Sequence, residues 1–201
     1  MRILFIFAFL FLSFPAAAAD IKNSDIKNVE AYLNGISTLQ SRFVQTADDG
    51  DRVEGVFMMK RPGRLRFEYD APVTDFIVAD GTLIYYYDGQ MRQQRSTLIS
   101  NSLADFFLRP RLKLSGDVSV SDIARKDGLL QITLVQTTDR RAGALTLVFA
   151  ENPIQLKKWR ITDAQGLTTH IDLREIRVGI PLNDRLFHYY DPLRQKPALN
   201  K

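Results

Sequence analysis

The chain of 201 residues has no cysteine, two histidines and one tryptophan. The missing cysteines exclude disulfides, thiol catalysis and cysteine-based metal sites. No Gly-x-Ser-x-Gly elbow, Walker loop or His-Glu-x-x-His motif occurs. Hydrolytic chemistry would have to rest on carboxylates, and Glu30, Glu54, Glu68, Glu151 and Glu175 lie scattered on presumed polar faces with no acid/base pair among them. Thr168, His170, Asp172 and Arg174 share one face of a strand-like run. Two ligand-type residues make a weak metal site, and that face reads as a solvated outer surface. The expectation is therefore no enzyme, no cofactor and no metal.

Long apolar runs are scarce too. The one present, "ILFIFAFLFLSF", follows Arg2 and leads through Pro15 to four alanines ending at Ala19. It is short for a bilayer span. A positive start, a short apolar core and an Ala-x-Ala site are the order of a secretory signal. Residues 1–19 are expected to be a signal peptide cleaved after about Ala19, and 20–201 a single exported domain. No cysteine follows the apolar run, so the protein is not itself a lipoprotein. With no second such run, the mature chain is expected to be soluble. Removing Arg2 leaves 26 basic against 23 acidic residues, a mild excess without a concentrated basic stripe. Nucleic acid is not an expected partner.

What the chain does contain is alternation. After one helical segment, with Ile26, Val29, Leu33, Ile36 and Leu39 at three- and four-residue steps, Ser24 as its N-cap and Gly35 as a weak point inside it, the period switches to two. Strands are expected near 41–47, 52–60, 64–69, 74–79, 82–87, 90–96, 118–125, 129–136, 144–150, 155–163 and 167–177. Asp-Gly at 49–50, 80–81, 88–89 and 127–128 separates several of them, a strong hairpin signal. One interruption is helical: "SLADFFL", Ser102 to Leu108, with Ser102 and Asp105 spaced as a capping box. About eleven strands and a few helices make a large antiparallel sheet that must curl, with its concave face filled or covered.

The stretch "FMMKRPGRLRFEY", Phe57 to Tyr69, carries an anomaly. Side chains two apart on a strand share a face. Val53, Gly55, Phe57 and Met59 form an inward set whose next member is Arg61. Glu54, Val56, Met58 and Lys60 form a set expected to face water. Beyond the Pro62-Gly63 turn, Leu65, Phe67 and Tyr69 point inward, and Arg64, Arg66 and Glu68 outward. Arg61 alone is a cation on the inward register. Either it snorkels to solvent past the proline, or its five donors reach into the hollow, as a planar guanidinium suits. Phe43, Phe57, Phe67, Phe76, Tyr85, Tyr87, Phe106, Phe107, Phe149 and Trp159 are many aromatics for one domain. Part of this set should line a cavity.

"RFVQT" at 42–46, the run from Gly55 and Phe57 through "KRPGRLRFEYDAP" to Pro72, and "VADGTLIYYYD" at 78–88 resemble the LolA family of periplasmic outer-membrane lipoprotein carriers. The likeness extends over essentially the whole mature chain, to the late Phe187 and Pro192. The C-terminal "YYDPLRQKP" departs from it by lacking the family's double proline. The resemblance implies an unclosed antiparallel β-barrel, or half-shell, with a helical lid over an apolar cavity. It implies that Arg61 contacts the lid and that Leu65 takes the place of the family's apolar residue after the proline. The cavity set expected from register and resemblance together is Phe43, Phe57, Met59, Leu65, Phe67, Ile77 and Tyr85, with Leu103, Phe106 and Phe107 facing it from above. The resemblance further implies a periplasmic monomer, probed by three kinds of partner: triacylated lipoproteins, an inner-membrane ABC-type release complex and an outer-membrane acceptor. Alternatives are a lipid- or lipoprotein-sensing regulatory module of the same shape, and a lipid or glycan hydrolase, which would need the acid/base pair that is not found.

Overall fold

The computed structural model describes residues 17–102 and 104–192. Most of the expected signal peptide and the tail from 193 lie outside them. Helix α1, Ala17–Asn34, comes first. Strands β1 (Thr38–Thr46), β2 (Arg52–Lys60), β3 (Arg64–Tyr69), β4 (Phe76–Asp80), β5 (Leu83–Asp88) and β6 (Gln93–Leu98) form a meander. The 3-10 turn Ile99–Asn101 and helix α2 (Ala104–Leu108) follow. A second meander comprises β7 (Val118–Lys126), β8 (Leu129–Gln136), β9 (Gly143–Ala150), β10 (Gln155–Asp163) and β11 (Thr168–Val178). The 3-10 turn Asp184–Phe187 completes the elements.

All eleven strands form one sheet in the order β6-β5-β4-β3-β2-β1-β11-β10-β9-β8-β7. Each adjacent pair is antiparallel. Among the described residues β6 and β7 are unpaired edges, so the barrel is open, as the family resemblance implied. Within the sheet, β1 and β11 pair the two meanders, with Phe43 opposite Leu173. One Asp-Gly hairpin signal takes the full two-residue form. Asp127 and Gly128 form a two-residue loop, both with positive φ (53° and 73°), the geometry that follows a strand's right-handed twist.

The concave face holds the core. α1 lies over β8 to β10: Val29 and Leu33 are buried with Leu130, Ile132 and Phe149, and Tyr32 meets Phe149 edge-on at 6.0 Å. The Tyr32 hydroxyl accepts from the Leu156 N–H at 3.1 Å. Gly55 is required where Phe43 crosses it, because a Cβ there would lie 2.8 Å from the Phe43 ring.

Four expectations change. The helix ends at Asn34, so Ile36 falls in the connection and Leu39 in β1; Gly35 lies just past the last turn, donating to Ala31 and Tyr32 carbonyls, and costs the helix nothing. Ser24 lies inside α1 rather than at its cap, because the helix begins at Ala17. Ser102 forms no capping box: its hydroxyl donates to the Ile99 carbonyl at 2.8 Å, completing the preceding 3-10 turn, while Asp105 pairs with Arg109. Met58 does not face water and is 7% exposed. The chain after β11 returns over the convex face, where the 3-10 turn Asp184–Phe187 packs on β3 and β4 and Phe187 is wholly buried.

Candidate functional site

Between the sheet and α2 lies an apolar hollow of about 440 Å³. Phe57, Leu65, Phe67, Ile77, Ile84 and Tyr86 supply the wall from β2 to β5. Leu145, Trp159, Ile161 and Ile171 supply the opposite wall, and Phe107 and Ala104 the roof. The rings interlock: Phe57 lies 4.6 Å from Phe67, and Trp159 sits 5.5 Å from Phe57 and 5.3 Å from Phe107. Polar groups gather at one end, where the Tyr69 hydroxyl donates to Gln45 Oε1 at 3.0 Å. Burial, with a smaller push from the Asp75 charge, raises the Tyr69 phenol to about 12.

The expected cavity residues divide by position. Phe57, Leu65, Phe67, Ile77 and Phe107 line the hollow. Phe43 and Met59 face the same side but are packed in the core behind it. Phe106 is buried on the other side of α2, against a smaller cleft with Leu134 and Leu145. Leu103 lies outside the described residues. Tyr85 is on the wrong face: it opposes Val78 in register and stacks on Tyr189 of the C-terminal segment, 4.5 Å between centroids and 8° from parallel. Its neighbour Tyr86, opposite Ile77, occupies the concave side instead. Trp159, from the aromatic set of which part was expected to line a cavity, does so; Ile161 and Ile171 were not singled out, and the alternation of β10 and β11 carried their signal.

At the other end of the hollow the "KRPG" turn joins the sheet to both helices. Arg61 donates through Nε to the Phe107 carbonyl at 2.6 Å and through Nη1 to the Leu33 carbonyl. Its main-chain N–H donates to Ser37 at 2.8 Å, and that of Gly63 to Leu108 at 2.9 Å. Gly63 adopts φ 78°, and a Cβ on it would lie 2.8 Å from the Gly81 Cα, so no other residue fits without displacement. Lys60 points to the convex side, to Asp184 at 2.5 Å. The inward register of Arg61 thus ends neither in solvent nor on a carboxylate, but on the last turns of α1 and α2, where helix carbonyls lack intrahelical partners. Burial lowers the pKa of its guanidinium.

Other constraints fasten the covering segments. Asn34 exchanges hydrogen bonds with the Leu112 main chain at 2.9 and 2.8 Å, and Glu30 accepts from the Leu114 N–H at 2.7 Å. Arg125 of β7 grips Asp25 of α1 with two bonds, 3.0 and 2.8 Å, and also Glu151. On the outer face Asp172 pairs with Lys158 at 2.7 Å, and His170 lies opposite Arg160. Among the described residues no group of three or more His, Cys, Asp or Glu could hold a metal, and no helix is long and apolar enough to cross a membrane.

Residues 34–190 match the family model described as outer membrane lipoprotein carrier protein LolA. The chain is 26% identical over 202 residues to an outer-membrane lipoprotein carrier protein of Methylococcus capsulatus, covering 95% of this chain and 94% of that one. It is 26% identical over 199 residues to a protein of the same description from Pseudomonas aeruginosa, covering 91% and 93%. A solved structure of a DUF1329 family protein from Desulfovibrio piger shares the fold, with a TM-score of 0.50 at 14% identity over 84% of this chain and 97% of that one. The chain belongs to the LolA family.

Proposed function

We propose that this member of the family is a noncatalytic periplasmic carrier, exported by way of residues 1–19. It takes triacylated lipoproteins from an inner-membrane release complex, shelters their acyl chains in the hollow, and hands them to an outer-membrane acceptor. The observation that carries this reading is an apolar hollow roofed by a short helix and latched by one arginine to two carbonyls.

The latch answers an energetic problem. Each buried methylene contributes about 0.8 kcal/mol, so a long acyl chain in a fixed greasy pocket would not leave. A carrier needs a closed, empty state that competes with the loaded one. Arg61 supplies it: when the roof lies down, a poorly solvated cation regains charge-assisted hydrogen bonds on the Phe107 and Leu33 carbonyls. Cargo lifts the roof and breaks them; their return favours release. Release is then a matter of differential binding between open and closed states.

The test is a two-step transfer with purified protein: uptake of lipoprotein from inner-membrane vesicles, then handover to outer-membrane vesicles. Both steps should proceed in the wild type. Uptake without handover would return the alternative, a lipid- or lipoprotein-sensing module of the same shape, and failure of uptake would remove the carrier reading.

A further inference from the structure

The hollow does not stop at Tyr86. Tyr69, Ile77 and Tyr86 also border a second basin of about 350 Å³. Its character is different: Asp75, Asp88, Gln93 and Arg95 contribute to its walls, with Met91, 67% exposed, at the rim. This basin abuts β6, one of the two free edges of the sheet.

The two edges are not alike. β7 is blunted by a bulge between Val120 and Asp122 and carries Asp122, Arg125 and Lys126. Bulges and charges of this kind deter pairing with another chain. β6 pairs with β5 in unbroken register from Gln93 to Leu98. It has no proline and one charge, Arg95, and every residue but Thr97 is exposed. Thr97 itself lines the hollow. An edge this regular presents unpaired main-chain donors and acceptors beside the hollow.

We propose that the basin and the β6 edge seat the polypeptide leaving the acylated residue of the cargo, added to the sheet as an extended strand. The proposal rests on the carrier reading. Polarity changes at Tyr86: a molecule with its lipid on one side of that ring has its peptide on the other, where main-chain partners are available. Arg95, opposite Tyr86 in register, makes no ion pair among the described residues and brings its guanidinium donors to the basin. Main-chain pairing is indifferent to side chains, so one edge would serve peptides of different sequence.

The absence of cysteine allows a direct test. Gln93→Cys, Arg95→Cys and Thr97→Cys mark β6, and Ser121→Cys marks β7. The probe is a synthetic triacylated lipopeptide whose short extended peptide carries one thiol at successive positions. Loading is measured separately, by co-elution of lipid with the carrier. With a mild added thiol oxidant such as diamide, disulfides should form at β6 about tenfold or more faster than at β7, and the preferred β6 position should move along the strand with the probe's thiol. Loaded lipid with equal trapping at both edges, or trapping without a moving register, overturns the proposal. So does β6-to-β6 coupling of two carriers without probe, which would make the edge a self-association site. If the cysteine-free protein does not load at all, the carrier reading fails first and this inference with it.

Discussion

Helix α1 is fastened to the sheet by two arginines, and they work differently. Arg125, near the start of the helix's packed face, meets carboxylates: Asp25 on α1 and Glu151 on the sheet. Its side chain is 45% exposed although that of Asp25 is only 10%, so water and salt screen the pairs from the arginine's side, and each is worth about 1 kcal/mol. Arg61, at the other end, meets no carboxylate. It is partly buried and satisfies carbonyls of two helices at once. The surroundings differ in the same sense. Around Arg125's end, Val29, Leu130 and Phe149 are fully buried in the core. Beside Arg61's end, the space below Phe107 is open. The first attachment is a permanent mooring and the second a latch, because only the latch spans the part of the core that is incomplete.

The sharpest way to break this comparison is through packing. Phe149→Ala, in the filled half, should cost roughly 3–5 kcal/mol in chemical denaturation. Phe107→Ala, which borders space already empty, should cost less than half as much while weakening acyl binding. Equal losses at the two positions would mean the halves are packed alike.

Next in size is the latch. Arg61→Leu removes charge-assisted hydrogen bonds worth roughly 1.5–3 kcal/mol each and adds apolar surface to the hollow. Uptake should persist, and handover should fall about tenfold or more, with cargo accumulating on the carrier. Arg61→Lys, keeping charge without the planar fork, should fall between. Normal handover by Arg61→Leu would reduce this arginine to a structural link.

The mooring should respond oppositely. Asp25→Asn should lower stability by about 1 kcal/mol, less at high salt, and leave both transfer steps within about twofold of wild type. A handover defect as large as that of Arg61→Leu would mean that the two ends of α1 are not separable.

The smallest effect is on pH. Arg109 holds Asp117 at 2.7 Å, tying the end of α2 to the start of β7. A side-chain hydrogen bond from Arg109, more than its charge alone, keeps the Asp117 carboxyl below its ordinary value. With the folded pKa the lower one, the contribution is present above the unfolded value of about 4 and is lost as pH falls through the folded value. Acid should therefore lower the amide-exchange protection around Arg109, taken relative to the intrinsic exchange rate at each pH, while the carbonyl-bonded Arg61 has no carboxylate partner to titrate. Identical acid responses at the two sites would contradict that division.

Much of this was legible from residue order. Period-two runs broken by Asp-Gly mark hairpins because few other residues tolerate the turn's positive φ. Arg61 was conspicuous because alternation placed a cation among Phe57 and Met59. Tyr85 was misplaced for the converse reason: three consecutive tyrosines, 85 to 87, contain no polar partner to reveal which of them points inward. Met58 was assigned to water because neighbouring Glu54 and Lys60 are charged; its burial on that face is not written in the alternation of β2.

The chain's own order, then, determined the strands, the turns and the inward direction of Arg61, since each depends on bonds and sterics a few residues long. Only the tertiary structure decided that β1 pairs with β11, that the C-terminal segment covers the convex face, and that α1 fills one half of the concavity while α2 merely roofs the other. Those outcomes depend on distant surfaces meeting, and local alternation defines two faces of a strand without saying what will lie against either.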